Sequence, residues 1–185
     1  MKNKRLLYDV LAAHQLWVET KGAYGKKADL TGADLTNATL IDAALTGANL
    51  RWADLTRADL TDANLTDANL TGAVLTNATL TDADLTRADL TRAALRWADL
   101  TGADLTRAVL RGATGNGKEI RSAQICQWPL VWTADVLCIG CQQHSISEWE
   151  AFTDEEIAAM HSEALPWWKK NKSLIMLLVG NRDGQ

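Results

Sequence analysis

The sequence predicts a mainly β repeat fold, a coil of short extended segments with one corner every five residues and a helical segment at each end. Three observations carry this. From Ala28 to Gly112 the chain is 17 five-residue units without an insertion, each with Ala first and Leu third, opening as AlaAspLeuThrGly (28–32) and AlaAspLeuThrAsn (33–37). A step of five residues advances a helix by about 500°, so the leucines would wander round it and leave no apolar face. In a straight strand the same odd step would throw successive leucines onto opposite faces. The chain must therefore bend once per unit, with Ala and Leu inside a narrow core and the other three positions outside.

The elements follow in order. Residues 2–21 read as an amphipathic helix, because Leu6, Leu7, Val10, Leu11, His14, Leu16, Trp17 and Val18 recur at helical spacing. Residues 1–27 are then an N-terminal cap and lead-in, covering the end that a repeat stack leaves open. Gly22 and Gly25 punctuate the exit into the first unit. His14 sits in the apolar pattern and is read as a residue of packing or of a local hydrogen bond.

AlaAspLeuThrXaa units resemble the pentapeptide-repeat family, whose consensus is a small residue, Asp or Asn, Leu and two polar residues. The lead-in HisGlnLeuTrp (14–17) with GlyAlaTyrGlyLysLysAlaAspLeu (22–30), and IleGlyCysGlnGlnHis (139–144) with Trp149, are similar to segments flanking the repeats in relatives. The resemblance implies a right-handed, four-sided β-solenoid with four units per coil. It implies a fold more than a function. Some members resemble duplex DNA in shape and charge and bind type II topoisomerases in its place.

With four units per coil, residues 20 apart stack about 4.8 Å from one another. The third face then collects Asp42, Asp59, Asp62, Asp82 and Asp99, with no Lys or Arg before Arg121. The column Asp42, Asp62, Asp82 is either a solvated surface or a negative strip offered to a basic partner, since stacked carboxylates repel by about 1 kcal/mol per neighbouring pair before screening. ArgTrpAlaAspLeu occurs twice, placing Arg51 with Trp52 and Arg96 with Trp97 on adjacent faces. Each Trp either lies over neighbouring aliphatic surface with Arg stacked on it or anchors a partner, the residue types that dominate protein interfaces.

After Gly112 the five-residue phase continues through Ile120, Ile125 and Leu130, so a degenerate coil is expected over 113–132 and a solenoid over 28–132. Trp128 cannot fit where the core is sized for Ala, and the coil should open there. GlyAlaThrGlyAsnGlyLysGlu (112–119) nearly spells a phosphate-binding loop, but Glu119 stands where Ser or Thr should reach Mg²⁺. Residues 133–185 read as a small helical cap, with capping boxes at Ser145/Glu148 and Thr153/Glu156 and Pro166 in the first turn of a last helix. Surplus apolar surface on this cap would pair two chains into a homodimer. Cys138, Cys141 and His144 have ligand-like spacing and Cys126 offers a fourth zinc ligand, but a second CysXaaXaaCys pair is absent and packing is the competing reading.

Composition bounds the function. The chain has 185 residues, a formal net charge of −4 and a pI near 5.3, which argues against a basic nucleic-acid surface. Three Cys and no N-terminal apolar signal segment point to a reducing cytoplasm, and Leu174 to Val179 is too short to span a bilayer. No catalytic Ser/His/Asp or Cys/His/Asp set can be assembled from three scattered His. The expectation is a non-enzymatic scaffold for protein–protein interaction that needs no cofactor. The alternatives are a DNA-mimicking binder of a type II topoisomerase such as gyrase, and a zinc-holding C-terminal interaction module.

Overall fold

The computed structural model describes residues 2–117, 119–125 and 128–180. Its central feature is a β-solenoid in which every coil takes 20 residues, as the parallel bridges Asp29↔Asn49, Asp34↔Asp54, Thr39↔Asp59 and Ala44↔Asn64 show on its four sides. The pattern repeats without slippage to Ala94↔Thr114.

One unit accounts for all five of its backbone N–H groups. At the second position the Asn49 N–H donates to the Ala28 carbonyl (3.0 Å), and at the third the Leu30 N–H donates to the Asn49 carbonyl one coil on (2.7 Å). At the fifth, the Gly32 N–H donates to the Arg51 carbonyl (2.8 Å), and the following Ala33 N–H closes the corner on the Leu30 carbonyl (3.0 Å). The fourth N–H, that of Thr31, is taken by the Asp29 side chain two residues back (3.2 Å). In a unit with Asp or Asn at its second position each of these groups thus has an acceptor.

The core is a stack of Ala and Leu, its leucines fully buried from Leu40 to Leu95. Small Ala at the first position lets the walls approach, and Leu fills the space between them. Such a core needs its ends closed by side chains that stand in for the missing coils.

At the N-terminal end, α1 (Lys2–Glu19) lays Leu7, Val10 and Leu11 against the core. Ala28 has no preceding Leu carbonyl to receive its N–H. The buried His14 supplies the acceptor with Nδ1 (3.1 Å), and its ring stacks on Trp17 at 5.6 Å. Gly25 is required beside it: a Cβ there would lie 2.2 Å from the Ala13 carbonyl oxygen, and its φ is +78°.

At the other end the structure departs from the degenerate coil expected over 113–132. Ile120 is still buried in the solenoid core, but from Arg121 the chain enters a four-stranded antiparallel sheet. Its strands, in spatial order, are β1 (Arg121–Ile125), β2 (Trp128–Trp132), β3 (Val136–Ile139) and β4 (Gln142–Ser145). The expected domain boundary after 132 therefore falls inside one sheet, between paired strands. The physical reason is Pro129. In a further coil that position would have to donate an N–H to the Ala108 carbonyl, and proline has none. The Gln143 side-chain amide does both jobs of the absent peptide: Nε2 donates to the Ala108 carbonyl (2.6 Å) and Oε1 accepts from the Leu110 N–H (3.0 Å).

The sheet lies between two cores. Val131 and Cys138 face the solenoid, while Leu130, Trp132, Leu137 and Ile139 face the helices α2 (Ile146–Ala151), α3 (Asp154–Met160) and α4 (Ala164–Gly180). Both expected capping boxes form, Ser145 with Glu148 and Thr153 with Glu156. No helix among the described residues is long and apolar enough to cross a membrane.

Candidate interaction surface

The outward positions differ in kind. At the second position, all eleven Asp or Asn side chains of the strict repeats accept the N–H two residues on, as Asp54 does from Thr56 (2.9 Å) and Asn69 from Thr71 (3.0 Å). Asp is there because it locks the turn. These hydrogen bonds to Thr, side chain first and backbone second, hold the carboxyls of Asp29, Asp34, Asp84 and Asp104 below the usual range.

The fifth position is the corner. All seventeen of these residues, from Gly32 to Gly112, have positive φ, and twelve of them are not glycine. With the preceding residue at negative φ, this is the signature of a type II turn. A left-handed residue with a Cβ costs roughly 1–2 kcal/mol. Gly, Asn and Asp suit it; Trp52 (φ 60°) and Trp97 (φ 58°) do not.

The expected site residues sort themselves on this frame. Asp42, Asp62 and Asp82 are successive residues of one corner, with φ of 56°, 57° and 56°. Among the described residues none of the three takes a hydrogen bond or an ion pair. Asp59 and Asp99 belong to the turns instead: each accepts its Thr N–H (3.1 and 3.0 Å) and Thr Oγ1 (2.7 and 2.6 Å). A third kind of carboxylate, Asp67, is held below its usual range by hydrogen bonds from Arg87, one coil on at the corner after the acidic one.

Trp52 and Trp97 occupy the two corners that bound the second face, and both are more than half exposed, 54% and 66%. The Trp52 ring lies over Gly72, where a Cβ would meet it at 2.4 Å. The Arg96 guanidinium stands 4.7 Å over the Trp97 ring. Arg51 precedes Trp52 at the same corner, which is diagonal to the acidic corner of the four-sided coil.

Comparison with known proteins gives this geometry its family. The family model for pentapeptide repeats matches in 8 copies, over residues 26–62, 53–92 and 88–114. Among solved structures, a pentapeptide repeat protein from the thylakoid lumen of Arabidopsis thaliana is 33% identical, over 50% of this chain and 70% of that one, with a TM-score of 0.33. The chain belongs to the pentapeptide-repeat family. Another similar structure is Rfr23 from the cyanobacterium Cyanothece 51142, 34% identical over 51% of this chain and 66% of that one, with a TM-score of 0.28. A trypsin-treated form of QnrB1, a plasmid-mediated fluoroquinolone resistance protein, is 25% identical over 47% of each chain, with a TM-score of 0.37. No curated protein matches.

The zinc candidates of this pentapeptide-repeat protein do not converge. Cys126 lies outside the described residues. Cys138 pairs with Gln143 and faces the solenoid, whereas His144 pairs with Leu137 on the opposite side of the sheet, edge-on to Trp149 (5.3 Å) and Phe152 (4.9 Å). One ion cannot reach both sides of a sheet. Burial pushes the Cys138 thiol up to about 11, and it lies 3.1 Å from Gln143 Oε1 as a hydrogen-bond donor. Cys141 is exposed. Among the described residues no three His, Cys, Asp or Glu gather as a metal site.

Sequence reasoning missed the strain at the corners and the role of Gln143. The signal for the first was present: Gly, Asn and Asp fill eleven of the seventeen fifth positions, the residues that tolerate positive φ. The Gln143 role had none, because it depends on how a segment 33 residues downstream of Leu110 folds back.

Proposed function

We propose that this pentapeptide-repeat protein is a non-enzymatic scaffold for protein–protein interaction, with α1 and the C-terminal sheet and helices as its lids. The observation that supports it is the pair of exposed tryptophans held at positive φ, where glycine would relieve the strain. Bulky residues kept in a costly conformation on a rigid surface are a mark of function. Their backbone is fixed by neighbouring coils, so binding costs little further ordering. A capture experiment from an extract of the source cell tests it, comparing the native chain with a Trp52→Gly, Trp97→Gly double variant. Proteins held by the first and lost from the second support the scaffold; identical capture by both sinks it.

A second reading rests on the corner of Asp42, Asp62 and Asp82, three stacked carboxylates without a partner in the fold. It makes the chain a stand-in for duplex DNA toward a DNA-binding enzyme such as gyrase. Salt-sensitive inhibition of gyrase supercoiling, relieved when the three are changed to Asn, is the expected result. Inhibition that survives the triple change removes the acidic corner from the mechanism. Both readings place the protein in the cytoplasm, without direct contact to nucleic acid or membrane.

A further inference from the structure

The second face changes character along the solenoid. In its first two coils the second-position residues are Asp34 and Asp54, each locked to the Thr N–H that follows (3.1 and 2.9 Å). In the next two they are Val74 and Ala94, bridged to each other. These are the only apolar second-position residues that stack in consecutive coils among the strict repeats. Both give up the turn-locking hydrogen bond that the eleven Asp and Asn make, and both remain outside the core.

This small apolar floor has aromatic walls. Trp52 leans along the axis over Gly72, two residues before Val74, and Trp97 stands at the opposite corner, three residues after Ala94. Their backbone positions are about 11 Å apart along the axis, from two and a quarter coils of about 4.8 Å, and the lean of Trp52 over Gly72 brings its ring toward Val74. The rim is basic. Arg92 and Arg111 stand on the Trp52 side and Arg96 on the Trp97 side, and among the described residues none of the three is ion-paired. Asp89, round the corner on the neighbouring face, is committed to the Thr91 N–H (2.9 Å). Beyond Asp54 the face carries no carboxylate.

We propose that this face, floored by Val74 and Ala94 between Trp52 and Trp97, binds an acidic peptide segment that carries an apolar anchor residue. An apolar centre with a polar rim is the anatomy of a protein interface, and Trp and Arg are its commonest energetic anchors. The sign of the rim selects the sign of the partner. The acidic corner of a second copy is a poorer occupant, since its one exposed apolar residue, Ile41, stands at the first coil of the Asp42, Asp62, Asp82 stack and not amid it. The inference rests on the scaffold reading and names the partner chemistry of one of its faces.

The test uses a displayed library of random peptides about 16 residues long, selected on the full chain and measured again as labelled synthetic peptides. The control is a Val74→Asp, Ala94→Asp double variant. It restores a side chain of the kind, Asp or Asn, that locks eleven other turns, which offsets the repulsion added to the Asp34–Asp54 column, so it is expected to melt near the native chain. Recovered peptides should be net acidic with Trp, Phe or Leu. They should bind the double variant at least about tenfold more weakly and lose affinity as salt is raised. Peptides of basic character, or affinities unchanged in the double variant, overturn the proposal. If the binders are lost instead on changing Asp42, Asp62 and Asp82 to Asn, the scaffold reading stands and this face falls; if no peptide binds at all, this face falls and the capture experiment alone decides the scaffold. A dimer of the free chain that the double variant makes monomeric would overturn the peptide as the occupant.

Discussion

A single fifth-position residue illustrates the conflict between turn and surface. Arg107 sits at φ 59°, with no ion pair among the described residues to compensate the strain. Glycine there relieves roughly 1–2 kcal/mol of left-handed strain and returns part of it as unfolded-chain entropy. Arg107→Gly is therefore expected to raise the midpoint of thermal unfolding, by about 0.5–1 kcal/mol of stability; an unchanged or lower midpoint would contradict the strain account. The same reasoning separates Asp59 from Asp62. The first is part of the turn through Thr61, the second is only tolerated by it. A face assignment groups the two, because it follows from the period alone; their second and fifth places in the unit are legible in the sequence, but the different hydrogen bonding of those places is not.

Among the elements, the two ends are closed by one stratagem, a side chain taking the place of an absent peptide. Gln143→Leu keeps the volume but leaves the Leu110 N–H and the Ala108 carbonyl without partners. Each orphaned group costs about 1–3 kcal/mol, and the expected readout is faster hydrogen exchange at the Leu110 amide before that of the middle coils. Unchanged protection would mean that the last coil holds itself.

At the other end, burial first and Lys27 second hold the His14 pKa below 6.5, while the Thr46 carbonyl near Nε2 pulls it the other way without forming a hydrogen bond. The unfolded chain then takes up the proton more readily than the folded one. Stability is unaffected well above pH 6.5 and falls as the pH drops below it. Thermal melts of the native chain should show that acid limb, and His14→Asn, which cannot take the proton, should flatten it. An identical limb in both would assign the effect to other groups. His14 was legible in the sequence as a buried helix residue, because its apolar spacing is local. Its hydrogen bond to Ala28 was not, since the loop that brings them together depends on Gly25 crossing close to Ala13.

The whole molecule is close to one-dimensional: each unit touches its neighbours along the chain and in the coils above and below. Removing Ala63–Asp67 deletes one unit and leaves the contacts at both ends intact, at the cost of the exposed Arg87–Asp67 pair. The variant should fold cooperatively, with a melting midpoint near that of the native chain. The deletion also turns everything after it by one corner. Trp97 would then share a column with Trp52, and the face of Val74 and Ala94 would lose its second wall. Failure to fold would show that the coil tolerates only whole-turn changes; retained peptide binding would show that the two walls are not needed together.

The period of five, with Ala and Leu at fixed places, by itself determined the bend per unit, the composition of the core and, through the resemblance, four units per coil. Those properties are local and repeated seventeen times, so no long-range contact is needed to specify them. Only the tertiary structure decided where the repeat stops, that an antiparallel sheet rather than a last coil follows it, that Cys138 and His144 face opposite ways, and that Val74 and Ala94 lie between two tryptophans. The end of the repeat and the place of Val74 and Ala94 depend on contacts between residues 20 or more apart, the sheet on which hairpins pair, and the two side chains on which face of that sheet meets which core. Pro129 marks the division: its missing N–H can be read from the sequence, but the Gln143 amide that replaces it appears only when the chain is folded.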